Sequence, residues 1–263
     1  MSNLLHHEIH HSLHSSEWVV FIHGAGGSIA TWKYQLEVIK EDYNVLLIDL
    51  RDHGKSKNIN PAFKKYTFDI VTSDIHKVLD HHHIEKAHFV TLSFGSVILQ
   101  ALSEGYPKMI DKMIIIGGIF KGNLLIKSFV HLARVLNVFL SYATMYRLFS
   151  FLLMPKKRNQ RARRLYQIQA QKLTQKEYLK WVNLYGEFFR LLKTFNQQQI
   201  NNPILTIMGG DDFIFLKSAE RFCGLRANTI LKIIPKAGHI CNIERPNKVN
   251  ALIKNFLGSP KVQ

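Results

Sequence analysis

The stretch that decides the fold is HFVTLSFGS, residues 88–96. The apolar run HFV (88–90) predicts a buried strand that ends at the serine, and VILQAL (97–102) predicts a helix that follows it closely. A serine on the sharp turn between a strand and a helix holds its hydroxyl above the sheet, where a base and a substrate can reach it. Ser93 is therefore a candidate nucleophile, although a Ser-x-Gly sequence by itself is common.

A second predicted strand lies upstream, WVVFI (18–22), and the glycine-rich sequence HGAGGS (23–28) follows it. Small residues leave backbone N–H groups open to a ligand. Such donors stabilise the negative charge that develops on a carbonyl oxygen under nucleophilic attack. We predict that the N–H groups of Ala25 and Phe94 form an oxyanion hole. The alternative is a strand-to-helix turn that binds no ligand.

The candidate acid follows another apolar run, ILTIM (204–208), in the sequence GGDD (209–212). A carboxylate at a strand end can hold a histidine in one tautomer and stabilise its protonated form. We choose Asp212, with Asp211 as the competitor, because adjacent acids point in different directions and only one should reach the histidine. An aspartate here could instead cap the helix that starts near Leu216.

The candidate base is His239, which lies in AGHICNIERP (237–246) after the short predicted strand LKIIP (231–235). The chain has fourteen histidines, so histidine alone is weak evidence. The position of this one, after a glycine at a strand end, distinguishes it. A general base there would take the proton from Ser93 and return it to the leaving group.

The order of the three candidates along the chain is Ser93, Asp212, His239, which is the order of the α/β-hydrolases. The sequence resembles this family from about Val19 to Leu257. The segments that carry the resemblance, besides the serine turn, are residues 23–24, 48–56 and 238–246. Each segment is a modest signal, and together they are specific.

The resemblance implies a serine hydrolase with Ser93, Asp212 and His239 as its triad and with Ala25 and Phe94 as oxyanion donors. A serine at this turn argues against the dehalogenases and epoxide hydrolases of the superfamily, which use an aspartate there. A hydrolase of this class needs no metal and no cofactor.

Two positions depart from the family pattern. Thr91 stands where glycine is usual before the serine, and its bulk implies adjusted packing around the turn. Asp52 stands where glycine is usual in the segment 48–56. We interpret Asp52 as a solvated loop charge, and a carboxylate at the pocket rim is the alternative.

The domain organisation follows from where strands and helices alternate. They alternate over residues 1–116 and 200–263, as a mostly parallel sheet with helical crossovers requires. We therefore predict an α/β-hydrolase core there, with a central sheet flanked by helices. The alternation stops between residues 117 and 199, which predicts a helical cap inserted over the active site.

The predicted cap carries most of the chain's charge. Residues 117–199 contain fifteen Lys and Arg against two acids, a net charge of +13, and the rest of the chain has a net charge of +3. The cap begins with an apolar part (124–154) and continues into a basic block, KKRNQRARR (156–164). No uncharged stretch reaches the roughly 20 residues of a membrane span.

Three interpretations of this pattern remain open. An apolar helix beside a basic block is typical of a surface that lies on anionic lipid. The apolar face could also line an acyl-chain pocket, or it could pack on the core and leave a solvated basic face. A nucleic-acid partner is disfavoured because the chain has no recognisable nucleic-acid module.

The cysteines and the lack of an evident secretory signal bear on the cellular location. Two cysteines, Cys223 and Cys241, suggest no disulfide framework, and no secretory signal is evident. A cytoplasmic protein is therefore the default, with peripheral membrane contact as an alternative.

Histidine tracts at 6–14 and 81–83 could bind metal. The alternation over 5–11 instead predicts a half-exposed edge strand, so we favour a structural role.

Together, these observations predict a carboxylesterase or lipase-like serine hydrolase. Its substrate would be a lipid-like small-molecule ester with a hydrophobic acyl group, cleaved through an acyl-enzyme. A thioesterase, an amidase or a carbon–carbon bond hydrolase would use the same machinery. The alternative from another class is a non-catalytic ligand-binding protein of the same fold.

Overall fold

The computed structural model describes residues 3–122, 128 and 140–259, and a sheet of seven strands lies at its centre. The strands are β1 His7–His10, β2 Trp18–Ile22, β3 Asn44–Ile48, β4 Ala87–Leu92, β5 Ile110–Ile116, β6 Ile204–Gly209 and β7 Thr229–Ile234. They lie in the order β1-β3-β2-β4-β5-β6-β7, and all neighbours are parallel except β1, which is antiparallel to β3.

Helices flank the sheet. Those of the described residues are α1 Lys33–Ile39, α2 Phe68–His81, α3 Phe94–Gly105, α4 Tyr142–Leu153, α5 Gln160–Ala170, α6 Gln175–Val182, α7 Tyr185–Gln197, α8 Leu216–Gly224, α9 Cys241–Glu244 and α10 Pro246–Leu257. This architecture confirms the predicted mostly parallel α/β fold. None of these helices has the length and apolar character of a bilayer-spanning segment; the longest, α2, has 14 residues.

The strands form where they do because of their apolar runs. All residues of β3, β4, β5 and β6 are buried, as in a parallel sheet that helices cover on both faces. At one edge, all four residues of β1 are half-buried, which confirms the predicted edge strand. At the other edge, five of the six residues of β7 are half-buried or exposed, and among them is Lys232, a charged edge residue of the kind that blocks further strand pairing.

Four helices of the described residues, α4 to α7, lie between β5 and β6 in the chain. Helix α6 begins with a capping box in which Thr174 and Glu177 satisfy each other's backbone N–H groups. Side chains of α4, α5 and α7 join the same hydrophobic core as the strands. The apolar sequence 124–139, on which the predicted cap partly rests, lies outside the described residues apart from residue 128, so the cap over 117–199 stays a prediction.

Candidate active site

Ser93 occupies the turn between β4 and α3 and has φ 52° and ψ −118°, a conformation that non-glycine residues rarely adopt. Its N–H donates to Ile116 O (2.9 Å), and its carbonyl accepts from both N–H and Oγ of Ser96 (2.8 and 2.6 Å). A Cβ on Gly95 would lie 2.6 Å from Ile22 O, so only glycine lets α3 begin this close to β2. The hydrogen bonds with Ile116 and Ser96, together with the close packing of Gly95 on Ile22, therefore fix the conformation of the turn.

His239 and Asp212 complete a hydrogen-bonded series with this serine. His239 Nε2 lies 2.7 Å from Ser93 Oγ, and His239 Nδ1 lies 2.7 Å from Asp212 Oδ2. Both His239 and Asp212 are only 1% exposed. Because a carboxylate only accepts, Nδ1 carries the proton and Nε2 is left to accept the serine hydroxyl. The loops after β4, β6 and β7 thus bring the three residues together.

The two adjacent acids have different partners. Asp212 uses its second oxygen, Oδ1, to accept from Phe215 N–H (3.2 Å), so it also caps the turn that leads into α8. Asp211 points away and pairs with Lys156 and Arg158 (2.6 Å each). Desolvation raises the pKa of Asp211, but the hydrogen bonds from those two cations outweigh it, and the pKa lies below its ordinary value. Asp212 is the acid that reaches His239.

The loop that carries His239 is anchored by Glu244, whose role the sequence did not indicate. Its Oε2 accepts from Gly238 N–H (2.9 Å) and from Asn159 Nδ2 (2.7 Å), which belongs to the segment between α4 and α5. Burial raises the pKa of Glu244 above its ordinary value, although both hydrogen bonds act to lower it. The centre of the Phe215 ring lies 5.0 Å from the centre of the His239 ring.

The candidate oxyanion donors, Ala25 and Phe94, line the same cavity as Ser93. Neither N–H has an acceptor among the residues that the structure describes. The loop of Ala25 is held by His53, whose Nε2 accepts from Gly26 N–H (3.1 Å) while Nδ1–H donates to Arg51 O (2.9 Å). Burial, followed by the neighbouring His23, lowers the pKa of His53 to about 3. A neutral His53 can therefore keep both bonds.

Residues of the segments 23–24 and 48–56, which carry the family resemblance, also fix the loop after β2. Asp49 accepts from Ile29 N–H (2.8 Å) and from Lys55 N–H (2.9 Å). A Cβ on Gly54 would lie 2.1 Å from Asp49 Oδ2, so glycine is required there. His23 Nε2 accepts from Leu50 N–H (3.0 Å), which ties the loop after β2 to the loop after β3.

The interpretation of Asp52 as a solvated loop charge is wrong. Its carboxylate is buried and accepts from the Tyr66 hydroxyl (2.5 Å), and Lys180 Nζ lies 3.8 Å away. Desolvation raises the pKa of Asp52, although Tyr66 and Lys180 act to lower it. The sequence did not indicate this because Tyr66 and Lys180 are remote in the chain and meet Asp52 only in the fold.

A cavity of about 390 Å³ opens above Ser93 and His239. Its walls are mostly apolar and come from both the sheet loops and the inserted helices. The main wall residues are Ile119, Phe149, Leu152, Leu165, Phe188 and Ile214. Two cationic side chains, Lys33 and Arg161, line it as well, and Arg161 donates to the Tyr34 hydroxyl (3.1 Å). An apolar cavity with a few convergent polar groups is typical of a small-molecule site.

One group of three potential metal ligands occurs within the described ranges: Glu17, His88 and Asp111. These residues lie at the amino ends of β2, β4 and β5, the opposite edge of the sheet from Ser93. Lys86 already forms an ion pair with Asp111 (3.1 Å). In the tract at 81–83, His82 Nε2 lies 2.7 Å from His7 Nε2, but the histidine tracts form no group of three in the part of the chain described.

The model of a family described as alpha/beta hydrolase fold matches residues 17–246. Protein ABHD8 of Homo sapiens is 25% identical over 239 residues, which are 90% of this chain and 54% of the relative. The chain thus spans about half the length of the curated relatives that it matches.

Solved structures give the same architecture. The enol-lactonase from Burkholderia xenovorans LB400 has a TM-score of 0.78 and 19% identity, covering 97% of this chain and 96% of that chain. A hydrolase from Oleispira antarctica has a TM-score of 0.81 and 14% identity, covering 98% of this chain and 96% of that chain. At these identities the likeness shows the fold alone.

Proposed function

This chain belongs to the α/β-hydrolase fold family, and on that premise we propose that it is a serine hydrolase of carboxylic esters with a hydrophobic acyl group. The observation that carries the proposal is the hydrogen-bonded series Asp212–His239–Ser93, which ends in an apolar cavity. The three side chains stand in the relation that nucleophilic acyl transfer requires: a nucleophile, a base within hydrogen-bond reach and a group that orients the base.

In the first half-reaction, Ser93 Oγ attacks the ester carbonyl while His239 Nε2 takes its proton. The imidazolium that forms is stabilised by Asp212 through Nδ1–H. Negative charge on the carbonyl oxygen is received by the N–H groups of Ala25 and Phe94. Phe94 begins α3, so the positive end of the helix dipole faces the same oxygen.

The intermediate then collapses to an acyl-enzyme. His239 gives its proton to the departing alkoxide, the ester C–O bond breaks, and the acyl group stays on Ser93. A water molecule, deprotonated by the same His239, attacks the acyl carbonyl in the second half-reaction. Release of the carboxylic acid returns the proton to Ser93 and restores the free enzyme.

The cavity walls support the choice of a hydrophobic acyl group. Phe149 and Leu152 come from α4, Leu165 from α5 and Phe188 from α7, and all four line the cavity above Ser93. Each buried methylene of an acyl chain contributes about 0.8 kcal/mol to binding in such surroundings. In this proposal the inserted helices act as the cap that shapes the acyl pocket.

The test is labelling with a fluorophosphonate probe, which reacts with activated serines, followed by turnover of p-nitrophenyl esters from C2 to C12. We expect wild type to label and Ser93→Ala to lose labelling, with a loss of turnover of at least about 10³-fold. Ser103→Ala is the matched control, because this buried serine of α3 donates only to Gln100 O and does not line the cavity.

The outcomes separate the alternatives. Unlabelled wild type that is folded and binds a ligand stoichiometrically would contradict the proposal in favour of a non-catalytic binding protein. Labelled protein that hydrolyses thioesters or amides faster than the matched oxygen esters would retain the triad and replace the substrate class.

A further inference from the structure

The outer faces of α4 and α5 carry two exposed stripes with an unusual composition. Residues at i, i+3, i+4 and i+7 lie on one side of a helix. The exposed residues in this spacing are Thr144, Arg147, Leu148 and Phe151 on α4, and Arg161, Arg164, Leu165 and Ile168 on α5. We call these eight residues the outer surface. A solvent-facing stripe is ordinarily polar, yet half of this one is large and apolar.

The apolar members are well exposed. Leu148, Phe151, Leu165 and Ile168 are 50%, 46%, 37% and 46% exposed, and none of them belongs to the described hydrophobic core. Helices α4 and α5 pack against each other, because the guanidinium of Arg163 on α5 lies 4.2 Å from the centre of the Phe151 ring on α4. Large exposed apolar side chains concentrated on two packed helices are typical of an interaction site.

The charged members are all cations without a carboxylate partner. Arg147, Arg161 and Arg164, together with Lys157 between the helices, form no ion pair with an acid of the described residues. Lys156 and Arg158 differ, since both pair with Asp211. The outer surface therefore combines apolar and cationic groups.

Both acidic side chains of residues 117–199 interact with residues of the segment 1–116. Glu177 pairs with Lys57 (2.9 Å), and Glu187 accepts from Phe68 N–H (3.1 Å). No carboxylate of the inserted helices is thus left to offset the positive potential of the outer surface. This arrangement complements an anionic partner.

We propose that the outer surface docks on an anionic lipid bilayer. The arginines lie at the level of the lipid phosphates, and the four apolar side chains enter the headgroup and upper acyl region. A second copy of this chain is a poor occupant because two surfaces of the same positive charge would face each other in a chain of net charge +16.

Docking in this way brings part of the cavity wall close to the lipid. Leu165 and Arg161 belong to the outer surface and also line the cavity above Ser93. On α4, Phe149 and Leu152 line the cavity, whereas their neighbours Leu148 and Phe151 are exposed. The part of the cavity wall that α4 and α5 supply therefore lies close to the lipid in the docked protein. This binding does not depend on catalysis, so the Ser93→Ala protein docks as wild type does.

The experiment is co-sedimentation of the full chain with vesicles of phosphatidylcholine alone and of phosphatidylcholine with about a quarter of phosphatidylglycerol. We expect binding only to the anionic vesicles and release in about 1 M NaCl, where the Debye length falls to about 3 Å. Equal binding to both kinds of vesicle, or retention in high salt, would overturn the electrostatic part of the proposal.

Charge variants locate the surface. Arg147→Gln, Lys157→Gln and Arg164→Gln combined should weaken binding on the order of 100-fold, since each cation near the membrane contributes about 1 kcal/mol, or about a fivefold factor. The matched control is Lys77→Gln, Lys108→Gln and Lys248→Gln, which removes the same charge from exposed positions outside α4 and α5. Equal loss in both triple variants would mean that net charge alone attracts the vesicle, and would overturn the localised surface.

Apolar variants test insertion. Leu148→Ser with Ile168→Ser should weaken binding about tenfold or more, because neither side chain can then bury apolar area in the lipid. Leu13→Ser with Leu225→Ser is the control, as both leucines are exposed elsewhere. Fluorophosphonate labelling and circular dichroism of every variant identify any that fail to fold.

A protein partner would give a different result. If wild type binds soluble polyglutamate tightly and ignores phosphatidylglycerol vesicles at low salt, the surface suits an acidic protein and the lipid proposal is overturned. Vesicle binding that survives excess polyglutamate, and that needs the apolar pair, supports the bilayer.

Discussion

At the scale of the residue, Ser93 has a positive φ that costs a non-glycine residue about 1–3 kcal/mol. The hydrogen bonds to Ile116 O and from Ser96 hold this conformation, and they aim the hydroxyl at His239. The two neighbouring acids have different partners, since Asp212 contacts His239 and Asp211 forms ion pairs with two cations. Single side chains here have separable roles that substitution can test.

Substitution of the two acids should give very different results. Asp212→Asn should lower kcat for a p-nitrophenyl ester by about 10³- to 10⁴-fold, because the amide no longer holds His239 in the tautomer that accepts from Ser93. Asp211→Asn is the matched control and should change kcat by less than about tenfold. Comparable losses in both variants would show that the distinction between the acids is wrong.

The stability of the protein should fall as the pH is lowered, partly because of His53. Its pKa is about 3 in the folded state, below the value of 6.5 expected in the unfolded chain, so the unfolded state binds the proton first. The contribution of His53 is complete above about pH 6.5 and declines by at most about 1.4 kcal/mol per pH unit between pH 6.5 and 3.

Urea unfolding at pH 7, 6 and 5 checks this prediction. His53→Gln keeps a donor and an acceptor but does not titrate, so its free energy of unfolding should fall less steeply with decreasing pH than that of wild type. Identical slopes for the two proteins would rule out His53 as the titrating group.

At the scale of the element, the position of α3 on β2 depends on close backbone approach. Gly95, in the first turn of α3, leaves no space for a Cβ because Ile22 O and His23 O are 2.6 and 2.8 Å from where it would lie. Gly105, the last residue of the same helix, has no atom within 4 Å of its Cβ position. The two glycines of one helix therefore differ in their tolerance of a methyl group.

We expect Gly95→Ala to lower the free energy of unfolding by about 1–3 kcal/mol and to reduce esterase activity, because α3 must move away from β2 and carries the Phe94 N–H with it. Gly105→Ala should be neutral or slightly stabilising. Denaturant unfolding of both variants, with kcat for the folded fraction, measures this. A stable and fully active Gly95→Ala protein would contradict the close approach.

The segment between α4 and α5 contacts the loop of His239 through a hydrogen bond from the buried Asn159 to the half-buried Glu244. Asn159→Ala should lower the free energy of unfolding by about 1–3 kcal/mol, because the half-buried Glu244 carboxylate loses a hydrogen-bond donor. Asn183→Ala, at an exposed residue that follows α6, should change it by less than about 0.5 kcal/mol. Urea midpoints of the two variants that do not differ would show that this contact is not stabilising.

At the scale of the whole molecule, one hydrophobic core includes both the strands and the described inserted helices. Leu153 of α4, Ala162 of α5 and Phe188 of α7 belong to the same buried cluster as the strand residues. The charge is distributed in the opposite way, with +13 of the net +16 in residues 117–199. Stability is thus shared between the two regions while the electrostatic potential is concentrated in one.

A shared core predicts cooperative unfolding. Cys223 and Cys241 are buried, and burial raises the pKa of both thiols, so native protein should resist iodoacetamide at pH 8. In a urea titration, thiol alkylation followed by intact mass and helix content followed by circular dichroism should share one midpoint. Loss of helix at a lower urea concentration than alkylation would show that the inserted helices unfold separately.

Much of this molecule could be predicted from the sequence, because the signals are local. Apolar runs mark the buried strands, and the serine turn and the Gly-His pair need only neighbouring residues. The chain order of Ser93, Asp212 and His239 then supports the fold class. These features depend on propensity and turn chemistry over a few residues, so their positions could be read without tertiary contacts.

Only the tertiary structure decided which side chains meet. Asp211 forms ion pairs with Lys156 and Arg158, which leaves Asp212 as the acid that contacts His239. Asp52 accepts a hydrogen bond from Tyr66, and Glu244 accepts one from Asn159. Each of these contacts joins residues that lie far apart in the chain or on a separate insertion. Local pattern carries no information about such contacts, because burial and charge pairing depend on how whole elements pack against one another.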